Sequence, residues 1–339
     1  MVRDINVYLE PNSNGTFMYY PGHLIKGTVE YPLDHVANIH CFSVTVVGKA
    51  QVNWSKDEST SHRSGDTITI ERYTGTDIQH TSMSFIHRNL LILVNCWGEE
   101  FFVEEETYLM GLKKGPLITL QPGIYRFNFS CQLPHNLPSS LSTRLGDISY
   151  CVESNIDHEN SYKICFGHTP FDIVRYDDLS LYPELRLPLK LEEVKSFCFI
   201  FCTGSLIMTV IMPCTGLAIG QSVPIKICYL NKSNVDVKQT KVNLKRLILY
   251  TCHHPNTETK KDSDIIMSVV AEGVNGRGSK DVDTILDIPT NLICSNDKFC
   301  KLINISYSID VEAELGGCHI NPKINIPVTI GHLPARPHP

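Results

Sequence analysis

The sequence has little charge and no surplus of basic residues. Charged side chains make up 19% of its 339 residues, and the 30 Lys and Arg are outnumbered by the 36 Asp and Glu, which gives a formal net charge of -6. A broadly basic surface for nucleic acid is therefore not expected. Hydrophobic residues reach 42%, so the chain can bury substantial cores, and extensive disorder is excluded.

The N-terminus lacks the apolar segment of a secretory signal, since it begins Met1-Val2-Arg3-Asp4. The cysteines number 13, and an odd count leaves at least one thiol unpaired even if all the others form disulfides. Both observations predict a cytoplasmic protein whose cysteines are reduced.

Long apolar runs are rare, with one exception. Residues 196–225 contain no charged side chain, but Pro213, Gly216 and Gly220 interrupt them. Buried strands of a β-sandwich have the same apolar character, so we expect strands here. A membrane span is the alternative.

Convincing long amphipathic helices are also missing, although residues 99–112 are compatible with a short one. Apolar and polar residues instead alternate in the segments 124–133 and 302–315. Because successive side chains of a strand point to opposite faces, each segment predicts a strand with one buried side. Further predicted strands are 5–9, 24–31, 39–54, 67–73, 90–96, 148–154, 206–212, 223–230, 237–252, 265–271 and 323–330. This pattern predicts an all-β protein built of antiparallel sandwiches.

An internal repeat predicts two such sandwiches. Residues 133–140 (LPHNLPSS) resemble residues 288–295 (IPTNLICS), and residues 148–153 (ISYCVE) resemble residues 305–310 (ISYSID). Pro183 and Pro188 lie between the two copies and disfavour a continuous strand there. We therefore expect a first domain over 1–176, a linker over 177–196, a second domain over 197–333 and a short tail over 334–339.

These motifs, in this order, resemble the arrestin family. The matching runs are 121–129 (QPGIYRFNF), 133–140, 146–150 (GDISY), 220–225 (GQSVPI) and 326–331 (IPVTIG). The resemblance is strongest to the arrestin-domain-containing, or α-arrestin, branch. It implies two immunoglobulin-like antiparallel β-sandwiches in tandem, no enzymatic activity and no cofactor.

The resemblance also implies a function and a set of partners. The protein would be a cytoplasmic adaptor or scaffold in membrane-protein trafficking, acting in cargo recognition, endocytosis and ubiquitin-linked sorting. It would bind cytoplasmic segments of membrane receptors or transporters, with recruitment to the plasma membrane or endosomes and with ubiquitin ligases or endocytic adaptors as further partners. Alpha-arrestins recruit such ligases through Pro-Pro-x-Tyr motifs, and this sequence contains no Pro-Pro dipeptide.

Two alternatives stay open at this point. One is an arrestin-fold subunit of a cargo-sorting coat complex such as retromer. The other is a redox-linked arrestin-like regulator, which the many cysteines permit.

The candidate contact residues are basic. Lys238, Lys241, Lys245 and Arg246 would lie on one strand, where they offer a contact for anions or phosphorylated partners. Lys113 and Lys114 would lie in a loop and contact acidic lipid or cargo. An ordinary solvated surface is the alternative for both sets. The acidic run from Glu99 to Glu106 is expected to be a solvated loop.

No catalytic or metal site is predicted. Three cysteine-containing groups offer ligand types that zinc binds, but buried cysteines that pack as small hydrophobes are the preferred interpretation. These groups are Cys198 with Cys202, Cys252 with His253 and His254, and Cys318 with His319. Trp54, Trp97 and the apolar run 90–94 are expected to be packed in the interior. An exposed patch for a partner is the alternative for the run 90–94.

Overall fold

A computed structural model describes residues 5–12, 14–61, 67–74, 77–84, 89–158, 164–199, 202–296, 298–317 and 319–334. Strands dominate these ranges, and they are joined in places by short 3-10 turns at Leu179–Leu181 and Pro183–Arg186. No helix in the described part is long and apolar enough to cross a membrane.

The first sandwich contains the strands that precede the two 3-10 turns. They are β1 (Asn6–Leu9), β2 (Met18–Tyr19), β3 (Leu24–Leu33), β4 (Ala37–Ser61), β5 (Thr67–Thr74), β6 (Asp77–Ser84), β7 (Asn89–Gly111), β8 (Ile118–Leu120), β9 (Gly123–Gln132), β10 (Leu141–Ser142), β11 (Gly146–His158) and β12 (Ile164–Ile173). One sheet has the order β1-β3-β9, and the other has the order β2-β12-β11-β4-β7, with β8 on β4 and β10 on β11. Strands β5 and β6 form a separate two-stranded sheet.

The second sandwich follows the 3-10 turns. Its strands are β13 (Leu189–Phe199), β14 (Cys202–Met212), β15 (Gly216–Ala218), β16 (Ser222–Asn231), β17 (Val237–Cys252), β18 (Glu258–Val274), β19 (Ser279–Asp287), β20 (Ile303–Leu315) and β21 (Lys323–Gly331). The sheets have the orders β13-β14-β16-β19 and β15-β21-β20-β17-β18. The predicted fold class, two antiparallel β-sandwiches in tandem, is confirmed.

The cores form as the alternation predicts. In β20 the apolar side chains Ile303, Ile305, Tyr307 and Ile309 are buried, and the polar residues between them lie on the other face. In β11 the same alternation buries Tyr150 and Val152. The apolar stretch without charge, 196–225, contributes to β13, β14, β15 and β16 where it is described.

Strand β7 corrects three expectations. Residues 99–112 form neither a helix nor a solvated loop, because all but the last lie in β7, paired with β4. The acidic side chains find polar partners across the strand pair: Lys49 and Gln51 donate to Glu99 at 2.6 and 2.7 Å. The run 90–94 is not wholly buried either, since Leu93 is 70% exposed, while the side chains of 90–92 lie outside the described residues.

The linker is shorter than expected. Strand β13 begins at Leu189, within the predicted linker of 177–196, and pairs along its length with β14. Pro188 lies immediately before the strand, because a proline has no backbone N–H to donate to a strand ladder. The connector is thus confined to residues 177–188.

Gly48 in β4 tests how tightly the first core is packed. A Cβ at this position would collide with the ring of Tyr150 and contact Val103. Tyr150 cannot move aside, because it is buried and its hydroxyl donates to the Pro138 carbonyl at 2.7 Å. We expect Gly48→Ala to lower the free energy of unfolding by about 1–3 kcal/mol in chemical denaturation.

The matched control is Gly123→Ala at the start of β9, where nothing lies within 4 Å of the added Cβ. Its effect should stay within about 0.5 kcal/mol. Equal losses in the two variants would contradict this description of the core.

Candidate functional site

The two sandwiches meet at Trp97 of β7 and His254, which follows β17. Trp97 N–H donates to the His254 carbonyl at 3.0 Å, and the N–H groups of His253 and His254 donate to the Trp97 carbonyl at 3.1 and 3.0 Å. The Trp97 and His254 rings stack at 4.3 Å with an interplanar angle of 17°. Trp97 is 47% exposed, so it is a junction residue and not the interior residue expected from sequence, whereas Trp54 is buried as expected.

Polar contacts flank this stack. Lys56 pairs with Glu258, and Arg144 Nε pairs with Asp262 Oδ2 at 3.0 Å. Lys301 N–H donates to the Glu100 carboxylate at 2.8 Å. Ion pairs at a surface are individually weak. These contacts therefore supplement the Trp97–His254 bridge, and they join the two sandwiches on either side of it.

The connector and the residues just before it are bound to the second sandwich. Before the connector, the Arg175 guanidinium lies 3.5 Å from the centre of the Phe299 ring. Further along, Leu179 N–H donates to the Leu333 carbonyl at 3.2 Å, and His332 N–H donates to the Asp177 carbonyl at 3.0 Å. The end of the first domain, the connector and the last strand therefore form one packed unit.

A cysteine, a histidine and an aspartate, the residue types of a nucleophilic triad, lie together at this connector. Cys294 Sγ is 3.4 Å from His332 Nδ1. The same nitrogen accepts the backbone N–H of Asp177 at 3.3 Å, so the Asp177 carboxylate does not orient the ring. Burial raises the pKa of the Cys294 thiol to about 12 and lowers the pKa of His332, against the charge of Asp177. A neutral thiol beside a weak base is not an activated nucleophile.

A groove of about 670 Å³ lies between the sandwiches. We call it the junction groove, and its lining includes Glu100, Phe101, Leu249, Lys298, Lys301 and Asn304. Phe101 is 49% exposed and supplies apolar surface. Because the lining comes from both sandwiches, neither sandwich alone forms this site.

The predicted basic strand is β17, and most of its charges are paired. Lys241 contacts Glu314 at 2.9 Å, Lys245 contacts Asp310 at 2.7 Å, and Arg246 contacts Asp264 at 2.9 Å. Lys238 is exposed at the start of β17, and no ion pair is recorded for it among the described residues. An anion would therefore have to compete with carboxylates at three of the four positions.

Asp310 is the buried centre of this charged face. Its side chain is 2% exposed, and the ammonium groups of Lys245 and Lys323 each lie 2.7 Å from it. Asn325 also donates to it at 2.6 Å. Burial by itself raises the pKa of Asp310, but the hydrogen bonds from Lys245, Lys323 and Asn325 outweigh it, so the pKa lies below its ordinary value.

Lys113 and Lys114 lie in the turn between β7 and β8, as the sequence predicts, and both are exposed. Lys114 has a φ of 63°, a left-handed conformation that is uncommon outside glycine. The turn is held by Gly115 N–H, which donates to the Leu112 carbonyl at 2.8 Å.

The structure describes only parts of the three cysteine-containing groups named in the sequence analysis. Cys198 and Cys202 lie on facing strands, β13 and β14, and not four residues apart on one strand; their side chains lie outside the described residues. Cys252 is fully buried, and His254 is engaged by Trp97. Cys318 lies outside the described residues.

Comparison with known families matches both halves of the chain. The family described as "Arrestin (or S-antigen), N-terminal domain" matches residues 5–180, and "Arrestin (or S-antigen), C-terminal domain" matches residues 202–335. Two such domains in tandem define an arrestin architecture. The chain belongs to the arrestin family, in its arrestin-domain-containing branch.

Curated relatives carry the same domain name. Mouse arrestin domain-containing protein 4 is 26% identical over 219 residues, which cover 63% of this chain and 50% of that protein. Caenorhabditis elegans arrestin domain-containing protein 17 is 24% identical over 63% of this chain and 50% of its own length. Human arrestin domain-containing protein 1 is 23% identical over 96% of this chain and 66% of its own length. The chain thus spans about half to two thirds of the relatives it matches.

Acidification tests the charged face around Asp310. Because the pKa of Asp310 is lowered on folding, its contribution to stability is present above about pH 4 and is lost as the pH falls through the folded-state value. We expect Asp310→Asn to cost about 3 kcal/mol at pH 7, since it leaves two lysines without their buried partner. The difference from wild type should shrink in denaturation experiments below pH 4.

Asp264→Asn is the matched control, because the Asp264 side chain is 52% exposed and its ion pair with Arg246 lies at the surface. It should cost less than about 1 kcal/mol. If the loss of unfolding free energy in Asp310→Asn did not depend on pH, the ionised Asp310 carboxylate would not be the source of the stabilisation.

Proposed function

We propose that this protein is a non-enzymatic adaptor that binds cytoplasmic segments of membrane receptors or transporters and directs their traffic. The observation that carries the proposal is the junction groove, a site that exists only because two arrestin domains are docked. Such an adaptor would work in the cytoplasm and be recruited to the plasma membrane or endosomes. Ubiquitin ligases or endocytic adaptors would be its downstream partners.

The chemistry of the junction groove suits an extended peptide. Phe101 and Leu249 offer apolar contact, while Glu100, Lys298 and Lys301 place charges of both signs around them. Peptide recognition commonly combines apolar pockets with polar groups that fix register. A groove held between two rigid sandwiches can provide both.

The basic residues are proposed as auxiliary contacts. Lys238 is exposed on β17 and Lys113 and Lys114 are exposed in their turn, so all three can reach acidic partners or lipid. Lys241, Lys245 and Arg246 would contribute only if a phosphorylated segment replaced their present carboxylate partners.

A binding function is also favoured by the chemistry of the triad-like group. The Cys294 thiol is kept protonated by burial, and the neighbouring His332 is a poor base. An enzyme would need an activated thiolate at this position.

Proximity labelling in cells tests the proposal with a matched pair of variants. Phe101→Asp introduces a charge into the junction groove, at a side chain that is 49% exposed. Ile285→Asp introduces the same charge on β19, in the other sheet of the second sandwich, at a side chain that is 58% exposed. We expect wild type and Ile285→Asp to label membrane receptors or transporters, and Phe101→Asp to lose most of that labelling.

Three outcomes would count against the proposal. Equal labelling by both variants would show that the groove does not bind cargo. Enrichment of one fixed coat complex would favour a stoichiometric coat subunit, and a profile without membrane proteins or sorting factors would remove the adaptor function. Circular dichroism of the two purified variants checks that both remain folded.

A further inference from the structure

Three side chains of the kinds that bind transition metals meet on the first sandwich. Cys151 and Glu153 lie on β11 and His168 lies on β12, and one ligand atom from each lies within 4.8 Å of the other two. We call these residues the metal trio. The sequence gives no short-spacing signal for them, because only the antiparallel pairing of β11 with β12 brings His168 beside the other two.

The backbone holds the metal trio on the outer face of its sheet. On β11 the trio residues alternate with Val152 and Ser154, which are fully buried. On β12 the hydroxyl of Thr169 donates to the Val7 carbonyl at 2.9 Å, so the neighbouring side chain points the other way. The three candidate ligands therefore project from the same side.

The register places the ligands at suitable separations. Glu153 lies directly opposite His168, and directly opposed residues have Cβ atoms about 4.5–5.5 Å apart. Cys151 precedes Glu153 by two residues on the same face, about 6.8 Å along the strand. A register shift between Ser154 and Asn155 follows immediately, and such irregularities bend a strand and re-aim its side chains.

We propose that the metal trio is a zinc site with water in the fourth position. Thiolate, imidazole and carboxylate are the ligand types that Zn²⁺ takes from proteins, at about 2.0–2.3 Å from the metal. Tetrahedral coordination brings ligand atoms to about 3.5 Å from one another, so rotations of the Glu153 and His168 side chains close the site. No ion pair among the described residues engages Glu153 or His168. Cys151 is not in a disulfide, and its thiol already lies 3.9 Å from Glu153 Oε1.

Zinc binding at the metal trio needs no redox step. The Cys151 thiol loses its proton to solvent as the sulfur–zinc bond forms, and His168 binds as the neutral imidazole. Glu153 neutralises part of the metal charge. Because Zn²⁺ binds the thiolate, the neutral imidazole and the carboxylate, protons compete with it for all three ligands, and its affinity falls as the pH is lowered.

Cobalt titration of the full chain tests the site, because Co²⁺ reports its ligands by absorption. We expect a thiolate-to-cobalt charge-transfer band in the near ultraviolet and the visible bands of tetrahedral Co²⁺, both removed by an added equivalent of Zn²⁺. Cys151→Ser should abolish the charge-transfer band. Glu153→Gln and His168→Ala should weaken binding by at least about tenfold.

Cys228→Ser is the matched control, since Cys228 is another half-buried thiol, on β16 of the second sandwich. It should retain the full cobalt spectrum and the Zn²⁺ competition. A spectrum that is unchanged in Cys151→Ser, or one that depends equally on Cys228, would overturn the proposal and indicate non-specific binding by thiols.

A second measurement guards against loss of folding in the variants. Zn²⁺ that binds only the native state raises the unfolding midpoint. We expect this rise in wild type and Cys228→Ser and not in Cys151→Ser, with all three unfolding at similar temperatures in the presence of a chelator. A rise of equal size in all three proteins would contradict the site.

Discussion

The contact on which the arrangement of the two sandwiches depends is the bridge between Trp97 and the segment after β17. Strand β11 pairs with β4 only as far as Val52, whereas β4 and β7 continue together to Ser61 and Asn89. Beyond Val52 the pair is therefore a two-stranded ribbon, and such a ribbon is only marginally stable by itself. Strand β7 is the edge of this sheet, so the backbone of Trp97 has no strand partner on its outer side. It forms hydrogen bonds there with His253 and His254 of the second sandwich.

This arrangement explains where the junction groove lies. Residues just beyond Trp97 on β7, including Glu100 and Phe101, face the second sandwich because the bridge fixes the ribbon against it. On the opposite side of the junction, Arg175 and the connector pack on Phe299 and on the strand that ends near Leu333. Two separate sets of contacts thus fix the groove, one on the ribbon and one on the connector.

Much of the fold can be predicted from the sequence, because the alternation of apolar and polar residues indicates which face of a strand is buried. The prediction for β17 agrees with the structure at both ends, and β20 differs by one residue. Short strands such as β2, β10 and β15 have too few residues to show a period. The acidic part of β7 is not predicted as a strand, because Glu99 accepts its hydrogen bonds from Lys49 and Gln51 across the ladder, and such pairing is invisible in a single segment.

The candidate sites are harder to predict, because their contacts join strands that are distant in sequence. The basic residues of β17 could be placed on a strand, but their pairing with Asp310, Glu314 and Asp264 depends on neighbours that are distant in sequence. Trp97 was predicted to be interior because large aromatics usually are. Its role at the junction depends on the position of β7 at the edge of its sheet, which no local pattern reveals.

Amide hydrogen exchange of the intact protein tests the central claim most directly, because the Trp97 bridge between the two sandwiches consists of three backbone hydrogen bonds. The account predicts that the amides of Trp97, His253 and His254 exchange as slowly as those in the centre of β17. Exchange of these three amides at the rate of an exposed turn residue such as Lys113 would contradict it, and the junction groove would then not exist as a fixed site.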